Sequence, residues 1–328
     1  MSYLIRGVAA QGEIRIIGAD TTDLVADACF RHQTSQTAGA ALGRSLTGAL
    51  LLCHVLLKNN RDRIMLRLLG DGPLGGVIAD AGLDGVVRGY VNNPGVELRP
   101  REDGKLDVGG GVGKIGEIEV IRSHAPYGEP YSSSVNLTSG EVAEDITSFL
   151  GMSEQIFSAV LLGVRFGEKG VENAGGVLVQ VLPGAKVKTI EQIEQNLLSF
   201  GQLTDALRSS KMLEILYQIT RGLGLDMVSK QALPLRFKCR CSEAKALDAL
   251  AYFPLEERQR MISEDGGAEV SCHWCGEVRW LTSEIIESIS GEEIRCPECR
   301  ALWYREGQST MIRDNEMCAC GRKVILMS

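Results

Sequence analysis

The sequence is poor in aromatic residues, which make up 5% of its 328 positions. That scarcity excludes a surface that works by stacking bases or sugars on rings. An excess of positive charge is also missing, since the formal net charge is −7. A protein whose main task is neutralising phosphates needs the opposite balance. Long apolar runs are absent too. The most apolar stretch, Ser45 to Leu57, holds 13 residues and follows Arg44, whereas a bilayer span needs about 20. Met1 to Ile17 shows no charged start, apolar run and small-residue cleavage site, so no secretory leader is expected. The expectation is a soluble, cytoplasmic protein with no membrane and no nucleic acid as partner. With 44% hydrophobic and 23% charged residues, the composition is that of a folded chain. Its length predicts about two domains, with room for a third small module.

Cysteine is nearly absent from the first 238 residues, which hold only Cys29 and Cys53. The last 90 residues hold eight, all in close pairs. Cys239-Arg-Cys241 is a CxC, Cys272-His-Trp-Cys275 and Cys296-Pro-Glu-Cys299 are CxxC pairs, and Cys318-Ala-Cys320 is a second CxC. In a reducing compartment such pairs read as metal ligands or redox switches rather than staples. The reason is bite: two intervening residues let two sulfurs reach one metal at about 2.3 Å with tetrahedral angles. Two pairs close a four-sulfur shell, which suits zinc, while iron–sulfur clusters use other spacings. Cys239, Cys241, Cys272 and Cys275 are therefore assigned one zinc ion. A CxC has a tight bite, and its sulfurs are also placed to oxidise to each other. Cys29 and Cys53 read as small core residues.

The predicted fold class is α+β. Residues 1–183 read as a mixed α/β core domain. Alternation predicts a strand around Ile14 and Ile16, and others at 63–69, 75–80, 86–91, 117–122, 159–164 and 176–182. Helices are predicted at 20–32, capped by Asp20, Thr21 or Thr22, and at 38–57 and 141–150. Pro183-Gly184 marks a boundary. Beyond it Ile190, Ile193, Leu197 and Phe200, then Met212, Ile215, Leu216 and Ile219, recur at helical spacing. Residues 184–235 thus read as a helical linker region lying against the first domain. Residues 236–289 form a small metal module, with Ser242 capping a helix to Ala251 and Pro254 opening the next. A module this small buries little core, so metal binding would supply much of its folding energy. Residues 290–328 are a cysteine-rich extension.

These residues carry a resemblance. Cys239-Arg-Cys241 and, after 30 residues, Cys272-His-Trp-Cys275-Gly276 look like the redox switch of the 33-kilodalton heat-shock protein family of holdase chaperones. Asp71-Gly-Pro-Leu-Gly75, Val87-Arg-Gly-Tyr-Val-Asn-Asn-Pro94, Pro130-Tyr-Ser-Ser-Ser-Val-Asn-Leu137 and Ser139-Gly-Glu-Val-Ala-Glu-Asp145 extend it, as do Ser153-Glu-Gln155, Leu162-Gly-Val164 and Ala174-Gly-Gly-Val-Leu-Val-Gln180. The likeness covers about residues 3–285. It implies an ATP-independent holdase, not an enzyme. Oxidation would join Cys239 to Cys241 and Cys272 to Cys275, zinc would leave, and the module and linker would unfold. The exposed apolar surface would then bind unfolding client proteins, and the active form would be a homodimer. The extension departs from the family pattern. Cys296, Cys299, Cys318 and Cys320 read either as a second metal site, which spacing favours, or as thiols that exchange ligands or disulfides with the first.

The rival reading is a thiol–disulfide oxidoreductase using Cys296 and Cys299, but the βαβ context of a thioredoxin-type CxxC is missing. A zinc ribbon for nucleic acid is disfavoured by 13 Lys or Arg against 16 Asp or Glu from Arg236 onward. Gly70-Asp-Gly72-Pro-Leu-Gly75 matches a nucleotide loop by letters, yet a strand rather than a helix is predicted after it. Cys53 and His54 are neighbours that point apart on a helix, so they are not a nucleophile and its base. His32 reads as structural, and His273 as no more than a neighbour of the metal ligands.

Overall fold

The computed structural model describes residues 1–124 and 129–289, together with the paired backbones of 291–295 and 302–306. The chain divides into two compact units, Met1–Cys239 and Arg240–Ser328.

In the first unit, β1 (Tyr3–Ala9) and β2 (Ile14–Asp20) form an antiparallel hairpin. Helices α1 (Thr22–His32) and α2 (Gln36–Leu56) follow. Of the three predicted caps, Asp20 does the bonding: its carboxylate accepts from the Thr22 amide at 3.1 Å and hydroxyl at 2.8 Å. Next come β3 (Arg63–Gly70), β4 (Val77–Gly82), β5 (Val86–Val91), the short helix α3 (Val108–Val112), β6 (Gly116–Ser123) and β7 (Tyr131–Asn136). Helix α4 (Val142–Met152) leads to the long hairpin β8 (Ser158–Gly167) and β9 (Gly170–Val181). One sheet runs β1-β2-β9-β8 and the other β5-β4-β3-β6-β7.

Helix α2 packs on β8 and β9 of one sheet and on β4 and β5 of the other. That double cover explains why it is buried almost all round from Thr37 to Cys53 and carries no polar face. At 21 residues it is longer than the apolar run that marks it, and long and apolar enough to cross a bilayer. It is nonetheless a core helix, with 78% of its most apolar window buried inside the protein.

After Pro183-Gly184 the chain is helical, as predicted, in α5 (Val187–Phe200), α6 (Leu203–Ser209) and α7 (Met212–Ile219). Gly201 ends α5 with φ of 79°. These helices form a core with the first sheet, in which Ile14, Ile16, Val177 and Val179 are buried among Ile193, Met212, Ile215 and Leu216. Gly18 of β2 permits the close approach. A Cβ there would stand 2.7 Å from Met212 Sδ and 2.9 Å from Leu216 Cδ2. Asn196 of α5 is buried and donates through Nδ2 to the carbonyls of Ile219 and Arg221, both at 2.9 Å. It thereby ties α5 to the end of α7.

The helical pattern stops there, because Gly222 and Gly224 take φ of 82° and 69°. The following residues are extended rather than helical, a departure from the sequence reading. β10 (Leu225–Met227) and β11 (Leu233–Pro234) pair antiparallel with β1, and β12 (Arg236–Phe237) pairs parallel with β5. This strap covers the edge of β1 that β2 leaves open. Its backbone bonds include Ala10 N–H to Leu223 O at 2.8 Å, Val228 N–H to Arg6 O at 2.9 Å and Leu235 N–H to Ser2 O at 3.0 Å.

The second unit holds α8 (Glu243–Ala251), α9 (Leu255–Asp265), the hairpin β13 (Gly267–Ser271) and β14 (Val278–Thr282), α10 (Ser283–Glu287), and the hairpin β15 (Gly291–Arg295) and β16 (Leu302–Glu306). Ser242 caps α8 by accepting from the Lys245 amide, as predicted. Pro254 precedes α9 as its N-cap instead of forming its first residue, because its ψ of 150° is extended. Among the described residues, Ala246, Leu250, Leu281 and Ile286 form the buried core of this unit. Four such side chains are few for a domain to stand on.

Candidate metal centre

The β13–β14 connection is a tight knuckle. The Cys272 amide donates to the Glu277 carbonyl at 2.8 Å, and the Gly276 amide donates back to the Cys272 carbonyl at 2.8 Å. Gly276 takes φ of 67°, where a side chain would be strained. This turn presents Cys272 and Cys275 together, and Cys239 and Cys241 arrive from the end of the strap. The four sulfurs all lie within 4.8 Å of one another, with Cys275 buried and the other three half-buried. Cys241 Sγ and Cys275 Sγ are 3.6 Å apart. A tetrahedral shell with bonds of about 2.3 Å puts its sulfurs about 3.8 Å apart, so the donor set fits a metal ion held by four thiolates. All four sequence-predicted ligands are brought together.

One neighbour was not legible beforehand. The Glu277 carboxylate lies 3.6 Å from Cys241 Sγ and is paired with Arg279. Nothing in the sequence marks this residue, because its contact depends on how the CxC arrives. His273 is exposed on the knuckle and is not one of the converging ligands. The second quartet, Cys296, Cys299, Cys318 and Cys320, lies outside the described residues.

Of the other two cysteines, Cys53 lies in the core as expected, whereas Cys29 is only half-buried. Burial pushes the thiol pKa of Cys53 up, and that of Cys29 is raised for the same reason. Neither is poised as a nucleophile. His54 is held neutral by burial, with a pKa pushed down to about 4. The ring of His32 packs edge-on against Phe237 of the strap, centroids 6.2 Å apart. Gly70 to Gly75 turn from β3 into β4, so the strand that follows rules out a nucleotide loop.

The family model described as Hsp33 protein matches residues 2–282, ending at the last residue of β14. A 33 kDa chaperonin of Thermus thermophilus is 50% identical, covering all of this chain and 98% of that protein. The 33 kDa chaperonin of Deinococcus radiodurans is 47% identical over 89% of this chain and 99% of its own length. The crystal structure of a 33 kDa chaperonin from Thermotoga maritima superposes with a TM-score of 0.80 at 32% identity, covering 87% of this chain and 96% of that one. With a matching family model over most of its length, a four-thiol cluster and a shared fold, the chain belongs to the Hsp33 family.

Proposed function

We propose that this protein is a redox-regulated, ATP-independent holdase chaperone of the cytoplasm, with one zinc ion held by Cys239, Cys241, Cys272 and Cys275 while it is reduced. The observation that carries the reading is the continuity of the strap with the thiol cluster. The Lys238 amide donates to the Val87 carbonyl at 2.9 Å, and the next residue is Cys239. Anchoring Cys239 therefore pins the end of the strap. Zinc bound there supplies folding energy to a unit whose own buried core is small.

Strands β10, β11 and β12 are two or three residues each, far below the length that is stable alone. Once their end is free they fray, since ordering each residue costs about 1–2 kcal/mol of backbone entropy. Loss of the strap leaves α5–α7 held by their contact with the first sheet. If they lift, Ile14, Ile16, Val177 and Val179 on the sheet and Ile215 and Leu216 on the helices are uncovered together. Such a surface binds unfolding proteins without sequence preference. No enzymatic step is part of this reading.

The trigger is oxidation of thiolates by a peroxide or by hypochlorous acid. For each pair, two thiolates give two electrons to one peroxide. The S–S bond forms, the O–O bond breaks, and two protons from solvent complete two waters. The family resemblance pairs Cys239 with Cys241 and Cys272 with Cys275, and points to a homodimer as the active form.

The test is light scattering from an unfolding client with this protein either reduced and zinc-loaded or treated with peroxide. Suppression after oxidation alone is expected. Equal suppression in both states would remove the redox switch, and no suppression in either would end the chaperone reading.

A further inference from the structure

The second unit contains a repeat. Gly267, Glu269, Cys272 and Cys275 recur as Gly291, Glu293, Cys296 and Cys299, all displaced by the same 24 positions. Val270, Val278 and Trp280 keep their type as Ile294, Leu302 and Tyr304. The backbone repeats with the residues. Gly267 pairs with Thr282 and Ser271 with Val278 in β13–β14; Gly291 pairs with Glu306 and Arg295 with Leu302 in β15–β16. Both hairpins thus have the same register and a six-residue connection that starts with CxxC. A metal bite explains why register and cysteine spacing are kept together. A surface hairpin without one has no need of cysteines at both positions of its connection.

We infer that β15–β16 is a second copy of the metal knuckle, and that Cys296 and Cys299 bind a second zinc ion completed by Cys318 and Cys320. Two thiolates fill half of a tetrahedral shell, so two further donors are needed. Cys318-Ala-Cys320 supplies them in the form the first site uses, one CxC with one CxxC. The remaining cysteines, Cys29 and Cys53, belong to the first unit, and Cys53 is fully buried in its core. The repeat also counts against an oxidoreductase. Cys296-Pro-Glu-Cys299 joins two antiparallel strands, whereas a thioredoxin-type CxxC belongs near a βαβ unit. The second knuckle begins beyond the last residue of the family match, so it is an addition to the family's own metal site.

The inference does not depend on the redox reading, because it concerns the metal content of the reduced protein. Full-length protein purified under reducing conditions should carry two zinc ions per chain. Cobalt added to the metal-free protein should titrate to two equivalents with the absorption of tetrahedral thiolate coordination. Cys296→Ser and Cys318→Ser should each lower the content to one, with the remaining ion still released by peroxide if the first site is intact. A single zinc in the unmutated protein would overturn the proposal, whatever the variants do. So would two zinc ions retained with unchanged cobalt absorption in Cys318→Ser, which would remove the CxC from the site.

Discussion

Gly7→Val tests the strap without touching a thiol. Gly7 lies in β1 opposite Met227 of β10. The three atoms nearest to a Cβ built there are Leu225 Cδ1 at 2.6 Å, Asp226 O at 3.2 Å and Met227 Sδ at 3.5 Å, all from the strap. Carbon contacts are optimal at about 3.5–4.0 Å, so a valine side chain must push β10 away. Its effect on β1 itself is favourable, since valine suits a strand better than glycine does. Overpacking of this kind costs about 1–3 kcal/mol, which corresponds to about a 5- to 150-fold rise in the open-to-closed ratio of the strap. A backbone hydrogen bond contributes about 0.5–1.5 kcal/mol net, so the penalty matches the loss of one to three strap bonds. Hydrogen exchange at the Ala10 and Val228 amides reads the opening directly, because Val228 bonds from the strap to Arg6 of β1 and Ala10 bonds to Leu223 in the turn that leads into the strap. In the reduced, zinc-loaded variant these amides should exchange about 5- to 150-fold faster. Zinc content should be unchanged, and client aggregation should be suppressed without oxidant. Wild-type exchange in a folded Gly7→Val protein would refute the steric argument. Fast exchange with no holdase activity would refute the role given to the strap.

Cys272→Ser removes one ligand of the four-sulfur cluster. It should lower zinc affinity and give partial holdase activity before any peroxide is added; a variant that keeps its zinc and stays inactive would contradict the switch. Asn196→Ala strips two bonds from the end of α7, leaving its carbonyls unsatisfied at about 1–3 kcal/mol. The expected outcome is a lower oxidant dose for activation, and an unchanged dose response would argue against linker release. His54 gives a pH dependence. Its pKa falls from 6.5 in the unfolded chain to about 4 in the fold, through burial and then the charge of Arg6, and neither ring nitrogen has a hydrogen-bond partner among the described residues. As pH drops below 6.5 the unfolded state takes up the proton first. The stabilisation is therefore complete above pH 6.5 and is lost toward pH 4, by about 3 kcal/mol in all. Thermal melts at pH 7 and pH 5 should differ more for wild type than for His54→Leu, and equal shifts would remove His54 as the cause.

The parts of this molecule that were legible in its sequence are those whose cause is local. A metal's bite sets the spacing of its ligands within one turn, so the first quartet could be assigned residue by residue and the fold brings it together. Periodicity marked α5 and α7 because each presents one apolar face, and it marked α2 because that helix is apolar throughout. What escaped was determined by partners far along the chain. Strands β10, β11 and β12 are too short to show alternation, and they are extended because β1 and β5 offer them edges. β7 is edged with Ser132, Ser133 and Ser134 and carries no apolar rhythm. Gly7 interrupts the alternation of β1, and Gly175 that of β9 ahead of the strand predicted at 176–182. Yet Gly7 is small because the strap lies against it, and a Cβ at Gly175 would meet the Ala19 carbonyl of β2 at 2.7 Å and Leu207 Cδ1 of α6 at 3.0 Å. A glycine that weakens the local signal of a strand is thus a mark of a close non-local contact. In this protein two of these interruptions fall where the strap and the linker helices press on the first sheet, so the silent positions of the sequence point to the surfaces that the proposed switch would uncover.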